Sequence, residues 1–216
     1  MKKNLLLSLA LLMSTLTIKA QTVADLFTKS ETEIYWLGID FSHVKLIGDF
    51  SQFGESGSVG VITIRNKYFP GWNELVLNES TKYDVAGMFR KPEMKLDTDG
   101  ITTINSNASV ESMEEDAEPN YKKEDIQGFV KKYDFGVKAG IGVLFVAESL
   151  NKNRESGKYH FVALNLATNE ILLHEVFEGK AGGFGLRNYW AHSYYDVIVE
   201  IRDSKYKAWK KQYVSK

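Results

Sequence analysis

Apolar positions along the chain change their period several times, and each change marks an element. Residues 34–47 (IYWLGIDFSHVKLI) are dense in β-branched and aromatic side chains, which predicts a strand buried on both faces at its start and alternating afterwards. Residues 140–147 (GIGVLFVA) predict a second buried strand. Residues 159–166 and 171–177, separated by Ala167-Thr168-Asn169-Glu170, predict an antiparallel hairpin. Pairing about Thr168-Asn169 would place His160 and His174 on opposite faces, so the two are not expected to ligate one ion together. Short strands are also expected over 83–89, 94–96 and 101–104, with Asp99-Gly100 as a hairpin turn between the last two.

Helical spacing appears between these runs. Val23, Leu26 and Phe27 suit one short turn, and Trp72, Leu75, Val76 and Glu79 predict a helix on one or both sides of Pro70. Residues 122–133 carry Ile126, Phe129 and Val130 on one face. Leu186, Trp190, Tyr194, Val197, Ile198 and Ile201 recur at steps of three or four, which predicts a long amphipathic helix closing the chain. The expected class is α/β or α+β: a mixed β-sheet with a late antiparallel hairpin, covered by helices and ending in a long terminal helix.

The first twenty residues are patterned differently. Lys2 and Lys3 precede an apolar run over 5–18, and Lys19-Ala20-Gln21 offers a small residue at a cleavage point, so residues 1–20 read as a secretory signal peptide. A run of about fourteen residues is too short to span the roughly 30 Å hydrocarbon core. No transmembrane segment is therefore expected after cleavage, and the expected location is periplasmic or secreted. Cysteine is absent, so neither a disulfide framework nor a lipidated cysteine is available and the core must hold the fold alone. Residues 21–216 are expected to form a single mixed-sheet domain, long enough to bury roughly 70% of the unfolded surface.

Removing the three leader lysines from 27 basic residues leaves 24 against 28 acidic, a net charge of −4. That sign and size exclude nucleic acid as a partner. Glu111, Glu114, Glu115, Asp116 and Glu118 before Pro119 predict an exposed acidic loop or mobile linker near 111–120. At the other extreme, Arg202, Lys205, Lys207, Lys210, Lys211 and Lys216 oppose only Asp203, with Tyr206, Trp209 and Tyr213 among them. Such a tail suits an anionic membrane surface, an acidic partner, or a solvated helix end.

Candidate chemistry centres on the segment EGKAGGFG, residues 178–185. Loop amides leading into a helix can hold an anion, with Lys180, Gly182, Gly183, Arg187 and His192 as candidate ligand-binding residues. The spacing fits neither nucleotide fingerprint, and a tight turn where the helix backbone approaches the hairpin explains the same glycines. A second glycine-rich connection, residues 48–60, follows the first strand and could share one end of the sheet with it. His192 and Asp196, four apart on the closing helix, suit either an ordinary side-chain pair or a carboxylate-oriented base. None of the four histidines has metal-ligand spacing, no nucleophile elbow is present, and no cofactor motif occurs, so no catalytic, metal or cofactor residues are assigned.

The TIKAQ ending of the leader and the mature chain as a whole resemble an exported Bacteroidota protein family of unknown function. Residues 159–181 (YHFVALNLATNEILLHEVFEGKA) are similar to the late hairpin of the curli-secretion lipoprotein CsgG and of the TolB amino-terminal domain, in which two strands around a D-x-x-T-G-E-like turn precede a long terminal helix. The turn here, Asn165-Leu166-Ala167-Thr168-Asn169-Glu170, departs at the acidic and glycine positions, and a lipoprotein's cysteine is missing. The resemblance implies a mixed-sheet sandwich and a role in envelope assembly, not pore formation. The resulting expectation is a non-catalytic binding domain with an envelope protein as partner; a small-ligand-binding domain and a hydrolase-type enzyme are the alternatives.

Overall fold

A computed structural model describes residues 21–28, 32–50, 59–136 and 139–214. The leader and most of the 48–60 connection lie outside the described residues. Six strands form one mixed sheet: β1 (Ile34–Asp40), β2 (Lys45–Ile47), β3 (Lys95–Leu96), β4 (Ile141–Asn151), β5 (Ser156–Asn165) and β6 (Glu170–Lys180). Their order is β3-β1-β4-β5-β6, with β2 continuing the line of β1 along β4. β1 pairs in parallel with β3 and β4, β2 is parallel to β4, and β4, β5 and β6 are antiparallel. The mixed sheet and late hairpin thus agree with the sequence pattern.

Among the described residues, eight α-helical segments surround it: α1 (Asp25–Thr28), α2 (Val61–Thr63), α3 (Phe69–Asn73), α4 (Leu75–Asn78), α5 (Asp99–Ser106), α6 (Lys123–Val130), α7 (Gly185–Glu200) and α8 (Tyr206–Val214). A π turn at Ile64–Tyr68 joins α2 to α3, and another at Ile201–Lys205 joins α7 to α8. Pro70 lies just after the first of these π turns, and the chain stays helical through the proline. The larger core, on one sheet face, gathers Trp36, Phe145 and Phe161 with α1, α3, α4, α7 and α8. The smaller core, on the other face, packs Leu144, Val146, Val162 and Leu164 against Ile101 of α5 and Ile126 and Val130 of α6.

Several expectations are corrected. Residues 34–47 make two strands, because the chain turns at 41–44, where the Asp40 carboxylate accepts the Ser42 N–H at 2.7 Å. Asp99-Gly100 opens α5 instead of a hairpin: Ile101 and Asn105, four apart, bury one helical face. Residues 83–89 form turns and a 3-10 helix, not a strand. The acidic stretch 111–120 is irregular but not a free linker, since Leu46 donates to Met113 O and Glu115 donates to Leu46 O. In the basic tail, Trp209 is buried, stacks on Phe161 and donates to Glu175, which leaves this aromatic of the tail turned into the core.

Where β1 runs past the two-residue β3, side chains replace a neighbouring strand. Asn73 accepts the Ile39 N–H and donates to Ile39 O, while Asn105 accepts the Phe41 N–H and donates to the same carbonyl. Two amides from α3 and α5 thereby satisfy a buried strand edge.

Candidate functional site

The glycine-rich loop gathers four of the five candidate residues. Lys180 ends β6: its N–H donates to Asp196 at 3.1 Å, and its carbonyl lies 2.9 Å from His192 Nδ1. His192 and Asp196 therefore fix a strand end from adjacent turns of α7. Gly182 gives its N–H to Tyr189 O at 2.9 Å and lies against the His192 ring. Gly183 and Gly185 adopt φ of 99° and 76°, a region that glycine enters freely. Arg187 points elsewhere, its Nη2 2.9 Å from Glu79 and its Nη1 bonded to Asn188.

An anion at this loop would find the Gly182 amide engaged and the Arg187 charge paired. The contacts favour the tight-turn explanation, most directly at Gly179, where a Cβ would overlap the Ser193 carbonyl oxygen on α7. The described start of the 48–60 connection packs on the helix that follows the glycine-rich loop: Phe50 stacks on Trp190 with centroids 5.2 Å apart, Gly48 abuts Lys152 and Asn153, and Lys152 reaches the Tyr189 hydroxyl. Phe184, between the two left-handed glycines, is 92% exposed. Sequence reasoning passed it over, although an aromatic residue inside a run of glycines has no local partner to bury it.

The densest ionisable cluster lies on the opposite face of the sheet, and two irregularities in the ladder create it. The β5–β6 register shifts between Ala163 and Leu164, leaving Leu172 as the extra residue. A single inserted residue reverses strand parity. His160 is consequently opposite Val176, two positions from His174, and both rings share one face. This overturns the expectation that they point apart. The β4–β5 register also shifts, at Glu148, which aims that carboxylate at the same face.

Glu148 Oε2 lies 2.6 Å from His160 Nε2, and Oε1 forms an ion pair with Lys158 at 2.7 Å. His160 Nδ1 and His174 Nε2 are 2.8 Å apart, with the rings stacked at 5.1 Å. The Tyr121 N–H adds a third contact to Glu148 at 3.2 Å. Burial pushes the Glu148 pKa up, but His160 and Lys158 outweigh it and hold the carboxyl below its ordinary range. With both imidazoles neutral, His174 Nε2–H donates to His160 and His160 Nε2–H donates to Glu148. The lone pair of His174 Nδ1 then remains as the outer end of a carboxylate–imidazole–imidazole chain.

Tyr121 joins this chain to a second buried group, its hydroxyl donating to His43 O at 2.9 Å. There Asp40 accepts from Ser42 N and from the Tyr133 hydroxyl, with His43 Nδ1 3.7 Å away. Burial raises the Asp40 pKa, yet hydrogen bonds from His43, Ser42 and Tyr133 bring it below the usual carboxylate value. Ser42 Oγ and Asp40 both approach the same His43 nitrogen. A nucleophile relay needs the acid and the hydroxyl on different ring nitrogens, so this is not a catalytic triad. Among the described residues no group of three His, Asp or Glu side chains is arranged to hold a metal. The signal for the whole belt was present in the sequence as ionisable residues inside apolar strands: Asp40, Glu148 and His160.

Burial, then His160 and Lys123, push the His174 pKa down to about 4, against the opposite influence of Glu124 and Glu175. An unfolded imidazole binds its proton near pH 6.5. Stability from keeping His174 neutral is therefore complete above about 6.5 and falls as the pH drops toward 4, by on the order of 1–2 kcal/mol after solvent screening. Urea midpoints from pH 7.5 to 4.5 should decline, and more shallowly in His174→Gln. Equal slopes would assign the pH dependence to other groups.

No helix among the described residues is long and apolar enough to cross a membrane. No family model matches the chain, and no curated protein does.

Proposed function

We propose that this is an exported, non-catalytic binding domain, released from its leader near Gln21, that engages another protein of the cell envelope. The observation carrying the reading is Phe184, 92% exposed on a glycine-rich loop whose base is fixed by Lys180, His192 and Asp196. An aromatic anchor held clear of its own core on a pinned turn loses little conformational freedom on docking, and aromatic residues dominate interface energetics. The leader pattern and the likeness of residues 159–181 to hairpins of envelope proteins support the same compartment. The buried belt supports a non-catalytic reading too, because its carboxylates are committed to structural partners.

A benzophenone amino acid replacing Phe184 should cross-link an envelope protein in cells. The purified exported chain should retain that protein, and Phe184→Asp should reduce retention at least tenfold with an unchanged melting temperature. A chain that stays in the cytoplasm at full length, or that cross-links and retains nothing, overturns the proposal. A second reading, small-ligand binding, is favoured by the packing of Phe50, at the start of the 48–60 connection, on Trp190 of α7, the helix that the 179–185 connection leads into. It predicts no cross-link at position 184 and a ligand-dependent rise in melting temperature.

A further inference from the structure

A cleft of about 200 Å³ lies between α5 and the helical stretch made by the π turn at Ile64–Tyr68 and α3. Asn73 and Asn105, the two amides that bond β1 in place of a strand, line it. The backbone of β1 is shaped to receive them: its register against β4 shifts between Trp36 and Gly38, and Gly38 holds φ of 110°, where a Cβ would come within 2.7 Å of Asn73 Oδ1. A side chain at position 38 would collide with that amide. None of the lining residues belongs to the 48–60 or 179–185 connections, so this cleft is separate from the Phe184 loop.

The donors of the cleft are not all engaged. Asn73 gives its two amide hydrogens to Ile39 O and Phe69 O. Asn105, only 3% exposed, gives one to Ile39 O, and its other has no acceptor among the described residues. A buried donor is costly to leave unmade, so this position suits an oxygen from outside the fold. Arg65 gives its Nε–H to Asn66 and an Nη1–H to Ala108 O, which leaves Nη2 unbonded, and no carboxylate among the described residues pairs with it. Thr102 and Ser106 stand three before and one after Asn105 in α5, so their hydroxyls share its face. One guanidinium with a free edge matches one carboxylate, and the amide and hydroxyls beside it match hydroxyl groups. No acidic side chain lines the cleft to hold an ammonium, and no second cation lines it to balance a phosphate dianion. Its volume is below the roughly 300–1,000 Å³ of sites for drug-sized molecules. We propose that this cleft binds a small hydroxycarboxylate, with the carboxylate on Arg65 Nη2 and a hydroxyl oxygen accepting from Asn105 Nδ2.

Calorimetric titration of the purified chain with glycerate should show one saturable site with a dissociation constant of about 1 mM or tighter. Glycerol lacks the carboxylate, propionate lacks the hydroxyls, and inorganic phosphate calls for a second cation, so each should bind at least tenfold more weakly. Arg65→Gln should weaken glycerate at least tenfold with the chain still folded. Thr102 is exposed on the wall of the cleft, so Thr102→Trp should fill the space and weaken binding as much while Arg65 stays in place. Phe184→Asp should leave glycerate affinity unchanged, which separates this site from the docking loop. The absence of saturable glycerate binding overturns the proposal, as does an affinity indifferent to both Arg65→Gln and Thr102→Trp. Any of the three analogues bound as tightly as glycerate overturns it too.

Discussion

Trp190→Ala is expected to cost about 3–5 kcal/mol, enough to unfold a marginally stable domain. Trp190 is 1% exposed, stacked face to face on Phe50 and met edge-on by Tyr189. With Val197 and Ile201, also buried, it forms the face that α7 lays on the sheet. Its indole nitrogen has no hydrogen-bond partner among the described residues, so the loss would be one of packing and cavity formation alone. Arg187→Ala, three residues earlier, removes an ion pair to Glu79 in which both side chains are largely exposed, and should change stability by less than about 1 kcal/mol. Urea unfolding of both variants decides the matter: a harmless Trp190→Ala would mean that α7 does not close the core.

Glu148→Ala should be comparably damaging, about 3–5 kcal/mol, through a different cause. Glu148 and His160 are fully buried, and the carboxylate is the acceptor for His160, Lys158 and the Tyr121 N–H. Removing it strands the imidazole donor of His160, which is fully buried, and takes the partner from Lys158, whose side chain is 25% exposed. Glu148→Gln keeps the volume and one acceptor oxygen, so its urea midpoint should fall between those of wild type and Glu148→Ala. A loss under about 1 kcal/mol for Glu148→Ala would mean that Lys158 already finds solvent.

What could be read beforehand follows the range of the interactions involved. β4, β5, β6 and α7 were legible because each carries a dense run of apolar side chains that buries one face or two. The pairing of His160 with His174 was not, since it depends on Leu172 being squeezed out of the ladder, and nothing in ILLHE announces which residue bulges. Asp99-Gly100 has the composition of a turn, but Ile101 and Asn105 gain more by docking α5 on β1 than the dipeptide gains by reversing the chain. At the candidate site, Lys180, Gly182 and His192 lie side by side, whereas Arg187 is drawn away by Glu79, a residue 108 positions distant. Phe184 is identified by what does not touch it, a property that only a three-dimensional arrangement reveals.

The π turn at 201–205 has a consequence for the rest of the terminal helix. Continued at the α-helical step, the buried series ending in Val197, Ile198 and Ile201 would pass through 205, 208 and 212. The side chains turned inward are instead Tyr206, Trp209 and Tyr213, each one position later. One supernumerary residue has rotated the last three turns by about 100°, the angle between successive residues of an α-helix. The aim of Trp209 at Phe161 and Glu175 is thus a matter of phase. Deleting one residue between 201 and 205 would move Tyr206, Trp209 and Tyr213 to 205, 208 and 212, so an uninterrupted α-helix would carry them to the same inward face without the π turn.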